Sequence, residues 1–153
     1  VFAFMQNENK KLNIYLKTNF NDNQVSKNIY YELDNINNIV MQEGGLYSDK
    51  WGIAGRVDCI AEYDGKITVI DFKTSTKEKK EEWIENYFIQ CTAYCEMFEE
   101  RYGRAIDQIA VLIVCEDGAL QTFVKDKKDY LPLLQPAIDE FWAEQDAVQP
   151  NSH

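Results

Sequence analysis

The chain has 153 residues, 45% apolar and 27% charged, enough for one domain with a real core and ordinary for a globular protein. A net charge of −10 argues against attachment to nucleic acid through a broad basic surface, and a single histidine, His153, argues against Ser/His/Asp or Cys/His catalysis. No segment approaches the ~18 continuous apolar residues of a membrane span and no leader pattern is present, so the expectation is an intracellular, cytoplasmic chain without membrane contact.

Residues 1–23 support no firm assignment: Phe2 to Met5 is apolar, and Leu12, Ile14 and Leu16 alternate weakly among Asn-rich stretches. Ile29, Leu33, Ile36 and Val40 then recur at helical spacing, which predicts an amphipathic helix over 24–41 ended by Gly44-Gly45. Three strand-like runs follow, 43–48, 51–63 and 66–73, joined by Asp49-Lys50 and by Asp64-Gly65, a two-residue hairpin signal. Thr74-Ser75-Thr76 offer N-cap residues for a helix over 77–101, whose apolar stripe includes Ile84, Phe88, Cys91, Cys95 and Phe98 and which Gly103 stops. Residues 106–115 (IDQIAVLIVC) read as a buried central strand, and 119–125 as an alternating one after the turn Glu116-Asp117-Gly118. A last helix over 129–146 has Leu133, Leu134, Ile138, Phe141 and Trp142 as its apolar side, and Pro136 kinks it or marks its start. Without a repeat or a linker, this pattern predicts one α/β or α+β domain over 1–153. Its mixed sheet contains an antiparallel three-strand meander flanked by helices. Cys59, Cys91, Cys95 and Cys115 form no C-x-x-C pair and read as buried reduced thiols.

The chemistry concentrates in GRVDCIAEYDGKITVIDFKTS, Gly55 to Ser75. A two-residue loop at Asp64-Gly65 pairs Tyr63 with Lys66, and continuing that register sets Asp58 opposite Asp71 and Arg56 opposite Lys73. Alternation then puts all four on one face. The same logic at Asp49-Lys50 sets Glu43 opposite Arg56 on that face, with Gly44-Gly45 a place where a bulge can intervene. Two carboxylates ~5 Å apart repel by roughly 3 kcal/mol at an effective dielectric near 20. Relief comes from a retained proton, from Arg56 and Lys73, or from a hard divalent cation with oxygen ligands from both acids. A metal held by two carboxylates beside a lysine suits phosphodiester hydrolysis, and the Phe72 carbonyl offers a further oxygen. A structural ion-pair cluster accounts for the same spacing, with Glu43 an exposed acid. Lys73, Lys77, Lys79 and Lys80 fall within eight residues, a local basic path that Arg56 can join. Gln90 shares a helix flank with Tyr87 and Tyr94. The amide and the Tyr94 hydroxyl can grip a phosphate or a water, or Gln90 is a boundary polar residue and Tyr94 is core.

Three segments together resemble a known family: Gly55-Arg56-Val57-Asp58, then Ile70-Asp71-Phe72-Lys73-Thr74-Ser75, then Gln90-Cys91-Thr92-Ala93-Tyr94. They match in order the G-x-x-D, D-x-K and Q-x-x-x-Y series of the RecB-like branch of the PD-(D/E)xK nucleases. The phrase LYSDKWGIAGRVDCIAEYDGKITVIDFKTS is similar to phage exonucleases and to the mitochondrial genome maintenance exonuclease. The match covers about residues 40–115. The resemblance implies a restriction-endonuclease-like core and a Mg²⁺- or Mn²⁺-dependent DNA nuclease acting on single strands or ends. It also implies replication or recombination proteins as partners. Asp58 and Asp71 would be metal ligands, with Glu43 and the Phe72 carbonyl beside them, and Lys73 the catalytic lysine. Gln90 and Tyr94, with Arg56, Thr74 and Ser75 nearby, would contact substrate. Relatives carry an upstream helix with a histidine near the metal, absent here and expected to precede Val1. Others carry a four-cysteine iron–sulfur cluster; the cysteine spacing departs from that pattern, so no cluster is expected. Two other readings are a restriction-like or junction endonuclease, and a non-catalytic nucleic-acid- or protein-binding module on the same fold.

Overall fold

β-branched residues crowd the stretches 36–75 and 106–124, and the main sheet forms there. The computed structural model of the protein describes residues 2–6, 12–16 and 34–148. Strands β1 (Phe2–Gln6) and β2 (Leu12–Leu16) make an antiparallel pair with Phe2 opposite Leu16. The main sheet runs β3-β4-β5-β6-β7, comprising β3 (Ile36–Ser48), β4 (Ile53–Tyr63), β5 (Lys66–Ser75), β6 (Gln108–Cys115) and β7 (Leu120–Asp126). The first three strands are the expected antiparallel meander, β5 and β6 are parallel, and β7 returns antiparallel to β6. A parallel neighbour requires a crossover, and helix α1 (Glu85–Tyr102) supplies it. Helix α2 (Leu131–Val148) closes the described chain, with Pro136 inside it.

The β4–β5 turn is as the sequence predicts. Asp64 and Gly65 take φ of 51° and 80°, the pair of positive angles a type I′ turn requires, and Tyr63 pairs with Lys66. β6 is buried along its length apart from half-buried Gln108, as expected of a central strand. Val57, Ile60, Val69, Val111 and Ile113 form one core with Phe88, Cys91 and Phe98 of α1 and with Leu134 and Ile138 of α2. Cys59, Ala61, Ile70, Phe72, Ala110 and Leu112 form a second core on the other face. All four cysteines are buried free thiols, and burial, with the Asp58 charge behind it, pushes Cys59 up to about 12.

Three expectations are corrected. The helix predicted for 24–41 fails from Ile36 onward, where the chain is strand; its earlier part lies outside the described residues, as does His153. The helical spacing of Ile36 and Val40 coincides with β-branched residues, and long-range pairing decides: Ile36 is fully buried opposite Tyr63. Gly44 and Gly45 therefore lie within β3 rather than after a helix. The link between β3 and β4 has four residues, Asp49 to Gly52, and Gly52, at φ 66°, donates its N–H to the Ser48 carbonyl at 3.0 Å. Finally, Thr74 and Ser75 extend β5, paired with Val114 and Cys115, and do not cap a helix. After a 3₁₀ turn at Glu81–Trp83, α1 starts at Glu85. The intervening loop is held by Gln121, which accepts from the Lys79 N–H and donates to the Lys79 carbonyl, both at 2.8 Å. Gly103 ends α1 as expected, in the left-handed conformation. Among the described residues, no helix is long and apolar enough to cross a membrane.

Candidate active site

Strand alternation on β5 sends Ile70 and Phe72 into the core on one face and Val69 into the core under α1. Asp71 and Lys73 follow Val69, so both lie on the α1 side. On β4 the alternation breaks. Val57 and Ile60, three apart, share the α1-side core, while Cys59 and Ala61 face the other way. The break coincides with the end of pairing: the β4–β5 ladder follows the predicted register from Tyr63–Lys66 to Cys59–Ile70 and stops. The next donor on that edge, the Phe72 N–H, goes to Asp58 Oδ2 at 2.9 Å. A carboxylate thus takes the place of a strand partner, which fixes Asp58 beside Asp71.

Asp71 is 6% exposed, and its Oδ2 has no hydrogen-bond partner. Lys73 Nζ stands 3.2 Å from that oxygen, an ion pair. Burial first, then the approach and charge of the Asp58 carboxyl, push Asp71 up to about 7 against the pull of Lys73. For Lys73, burial favours the neutral amine, but Asp71, Asp58 and Tyr87 outweigh it and raise its pKa, so the ammonium keeps its proton at neutral pH. Its Nζ also lies 4.8 Å from the centre of the Tyr87 ring. In the sequence Tyr87 belongs to the apolar stripe of the helix and flanks Gln90; nothing in the spacing marks it as the partner of Lys73.

Tyr94 is buried, and Gln90 Nε2 lies 3.4 Å from its hydroxyl. Burial raises the Tyr94 pKa, Gln90 opposes this, and the charges of Asp71 and Asp58 add to it, so the hydroxyl keeps its proton near the acids. Gly55 makes the approach possible. A Cβ there would meet Tyr94 Cε1 and the hydroxyl oxygen at 3.0 Å.

The structure therefore gathers Asp58, Asp71, Lys73, Gln90 and Tyr94 around the inner flank of α1. Arg56 is separate. Gly55 and Val57 on either side of it face α1, so alternation turns Arg56 away, exposed, with Nε donating to the Glu43 carbonyl at 3.0 Å. The four-residue turn shifts β3 by two positions from the predicted register. Gly45 lies opposite Arg56, and Glu43 falls level with Asp58, between the pairs Gln42–Cys59 and Gly44–Val57. Glu43 is exposed, with φ 48°. Among the described residues, no three His, Cys, Asp or Glu side chains converge as a metal cage. Thr74 is exposed at the end of β5, and the Ser75 hydroxyl donates to the Lys77 carbonyl.

A divalent cation is tested against the donor set. Asp71 Oδ2 is buried and has no hydrogen-bond partner, a second carboxylate is fixed against it, and the Phe72 carbonyl leaves the strand on the same edge as its N–H. Two carboxylates with water and phosphate completing the shell is the usual manner of holding Mg²⁺, so the residues fit such an ion.

The model of the PD-(D/E)XK nuclease superfamily matches residues 6–151. Human mitochondrial genome maintenance exonuclease 1 is 26% identical over 98 residues, 61% of this chain and 28% of that protein, so the chain spans less than a third of that relative's length. A crystal structure from Eubacterium rectale, provisionally described as an exonuclease, aligns at a TM-score of 0.44 and 13% identity, covering 75% of this chain and 52% of its own.

Proposed function

The chain belongs to the PD-(D/E)XK nuclease superfamily, and from that premise we propose that it is a Mg²⁺- or Mn²⁺-dependent deoxyribonuclease, an exonuclease acting on single strands or DNA ends. Its mixed sheet with α1 and α2 packed against it is the restriction-endonuclease-like fold of that superfamily. The observation that carries the reading is the Asp58–Asp71 pair, with a buried carboxylate oxygen that lacks a hydrogen bond and Lys73 at 3.2 Å.

In this reading Asp58, Asp71 and the Phe72 carbonyl hold the ion. Bound there, it supplies Lewis-acid stabilisation of the charge that develops on a phosphoryl group. Lys73 keeps its proton and brings a positive charge to the same place; the Tyr87 ring and Asp71 hold its direction. Gln90 and Tyr94 offer an amide and a hydroxyl to phosphate oxygens or to water. Phe72 keeps Asp58 from turning away. Residues 1–153 act as one domain, and the setting we propose is cytoplasmic DNA replication and recombination of the phage type, with its attendant proteins, on the strength of the resemblance of residues 46–75 to phage exonucleases.

The test is cleavage of end-labelled single-stranded, duplex and circular single-stranded DNA with Mn²⁺, for the parent, Asp71→Ala and Lys73→Ala. The expected result is digestion of linear DNA by the parent alone, with circles left intact. Cut circles convert the reading to an endonuclease. Full activity in Asp71→Ala refutes it.

A further inference from the structure

A groove of about 740 Å³ opens beside the acid–lysine cluster, between the β3–β4 turn, α1 and α2. Gln90 and Tyr94 form one of its walls, so it is continuous with the candidate active site. Aromatic rings stand around it: Tyr47 and Tyr94 on one side, Phe141 and Trp142 on the other. Phe141 and Trp142 are each 52% exposed, set edge to face with ring centres 5.4 Å apart. The sequence pattern assigns both to the packed side of the last helix. Leu134 and Ile138 do pack, but one turn further on the helix passes the end of the core and these two rings line the groove instead.

Its charge is as informative as its shape. The chain carries 26 acidic residues, yet among the described residues none lines this groove, whose polar groups include Ser48, Asn86 and Gln90. A polyanion entering this chain, whose net charge is −10, meets no carboxylate here among the described residues. Uncharged walls with exposed rings and a few amide and hydroxyl groups suit nucleobases, which stack on aromatic faces and hydrogen-bond at their edges.

We propose that this groove holds unpaired nucleobases of the strand being cut, with Trp142 and Phe141 as stacking surfaces and Gln90 and Tyr94 at the junction with the reacting phosphate. The proposal rests on the nuclease reading and narrows its substrate to single-stranded DNA. Bases paired and stacked in a duplex cannot enter an apolar slot without first being unstacked, at an energetic cost. Bases of a single strand enter without it.

The experiment is fluorescence anisotropy of a labelled oligothymidylate, and of an abasic deoxyribose-phosphate chain of the same length, with the full chain. Both are read in the Asp71→Ala background, so that nothing is cut. Trp142→Ala and Phe141→Ala replace exposed side chains; circular dichroism checks the fold. Removing one stacking ring weakens oligothymidylate binding about fivefold or more. In the cutting-competent background it raises KM more than it lowers kcat. The abasic chain binds weakly and ignores both substitutions. Trp83→Ala is the control: Trp83 is 62% exposed and outside the groove, and its loss leaves binding unchanged. Unchanged oligothymidylate binding in Trp142→Ala and Phe141→Ala overturns the proposal. So does equal binding of the abasic chain, or a dimer of the parent that Trp142→Ala dissociates, which assigns the groove to a second copy. Failure of the nuclease reading shows separately, as cleavage that survives Asp71→Ala.

Discussion

Among the acid–base clusters that touch helix α1, two are built in opposite ways. At its C-terminal end Glu100 accepts hydrogen bonds from the Ser48 hydroxyl at 3.0 Å, the Asp49 N–H at 2.9 Å and the Lys50 N–H at 3.1 Å, and it pairs with Arg101 at 3.3 Å. Under the middle of the helix, Asp71 is buried against a second carboxylate and its Oδ2 has no hydrogen-bond partner. The acid that ties down a turn is surrounded by donors. The acid at the candidate site is set among acceptors, with one lysine to offset them. Their ionisation differs accordingly. Desolvation disfavours the Glu100 charge, but its donors outweigh that and lower its pKa; Asp71 is pushed up to about 7. A merely structural cluster would resemble the first. The second carries an electrostatic cost that a divalent cation would relieve.

The comparison breaks most visibly in activity. Asp71→Ala and Lys73→Ala each lower cleavage by at least about a hundredfold, whereas Glu100→Gln keeps the parent rate at neutral pH. Gel assays of linear single-stranded DNA measure this. Equal losses in all three variants would mean that both clusters are structural.

The next effect is on stability, and its sign reverses between the clusters. A carboxyl whose folded pKa is raised contributes stability below its unfolded value and loses it as the pH rises through the folded one. Without metal, the parent therefore loses stability between about pH 4 and pH 7 through Asp71. Asp71→Asn removes that slope. Glu100 behaves in the opposite sense: its contribution is present above the ordinary glutamate range and lost as the pH falls through the lowered pKa. Glu100→Gln thus melts below the parent at neutral pH, and the gap closes in acid. Urea melts across pH, in chelator, measure both slopes.

The smallest effect concerns positioning. Gly55→Ala places a Cβ 3.0 Å from the Tyr94 hydroxyl oxygen and Cε1, so the ring must move. Cleavage falls severalfold with little change in melting midpoint, and Tyr94→Phe combined with Gly55→Ala falls less than the product of the single losses.

Most of the site was legible because one short turn controls it. Asp64-Gly65 specifies a two-residue hairpin, and its register carries Asp58 and Asp71 to the same level, with Lys73 on the Asp71 face. Counting could not foresee the break at Val57-Asp58, where the Asp58 side chain replaces a ladder bond. Arg56 consequently faces away, whereas strict period two sets it beside Lys73. Glu43 was misplaced for a different reason: its position depends on β3, whose turn has four residues and whose first part mimics a helical repeat. The buried β6 and the Gly103 stop of α1 were plain from local composition. The exposed Phe141 and Trp142 were not, since an apolar stripe does not say where the core beneath it ends.

The most direct measurement is a thermal melt with and without millimolar Mn²⁺ for the parent, Asp71→Ala and Glu100→Gln. A cation bound only by the folded state raises the midpoint by mass action. The account predicts a rise in the parent and in Glu100→Gln and none in Asp71→Ala. A parent that ignores Mn²⁺, or an Asp71→Ala that responds as the parent does, would contradict it.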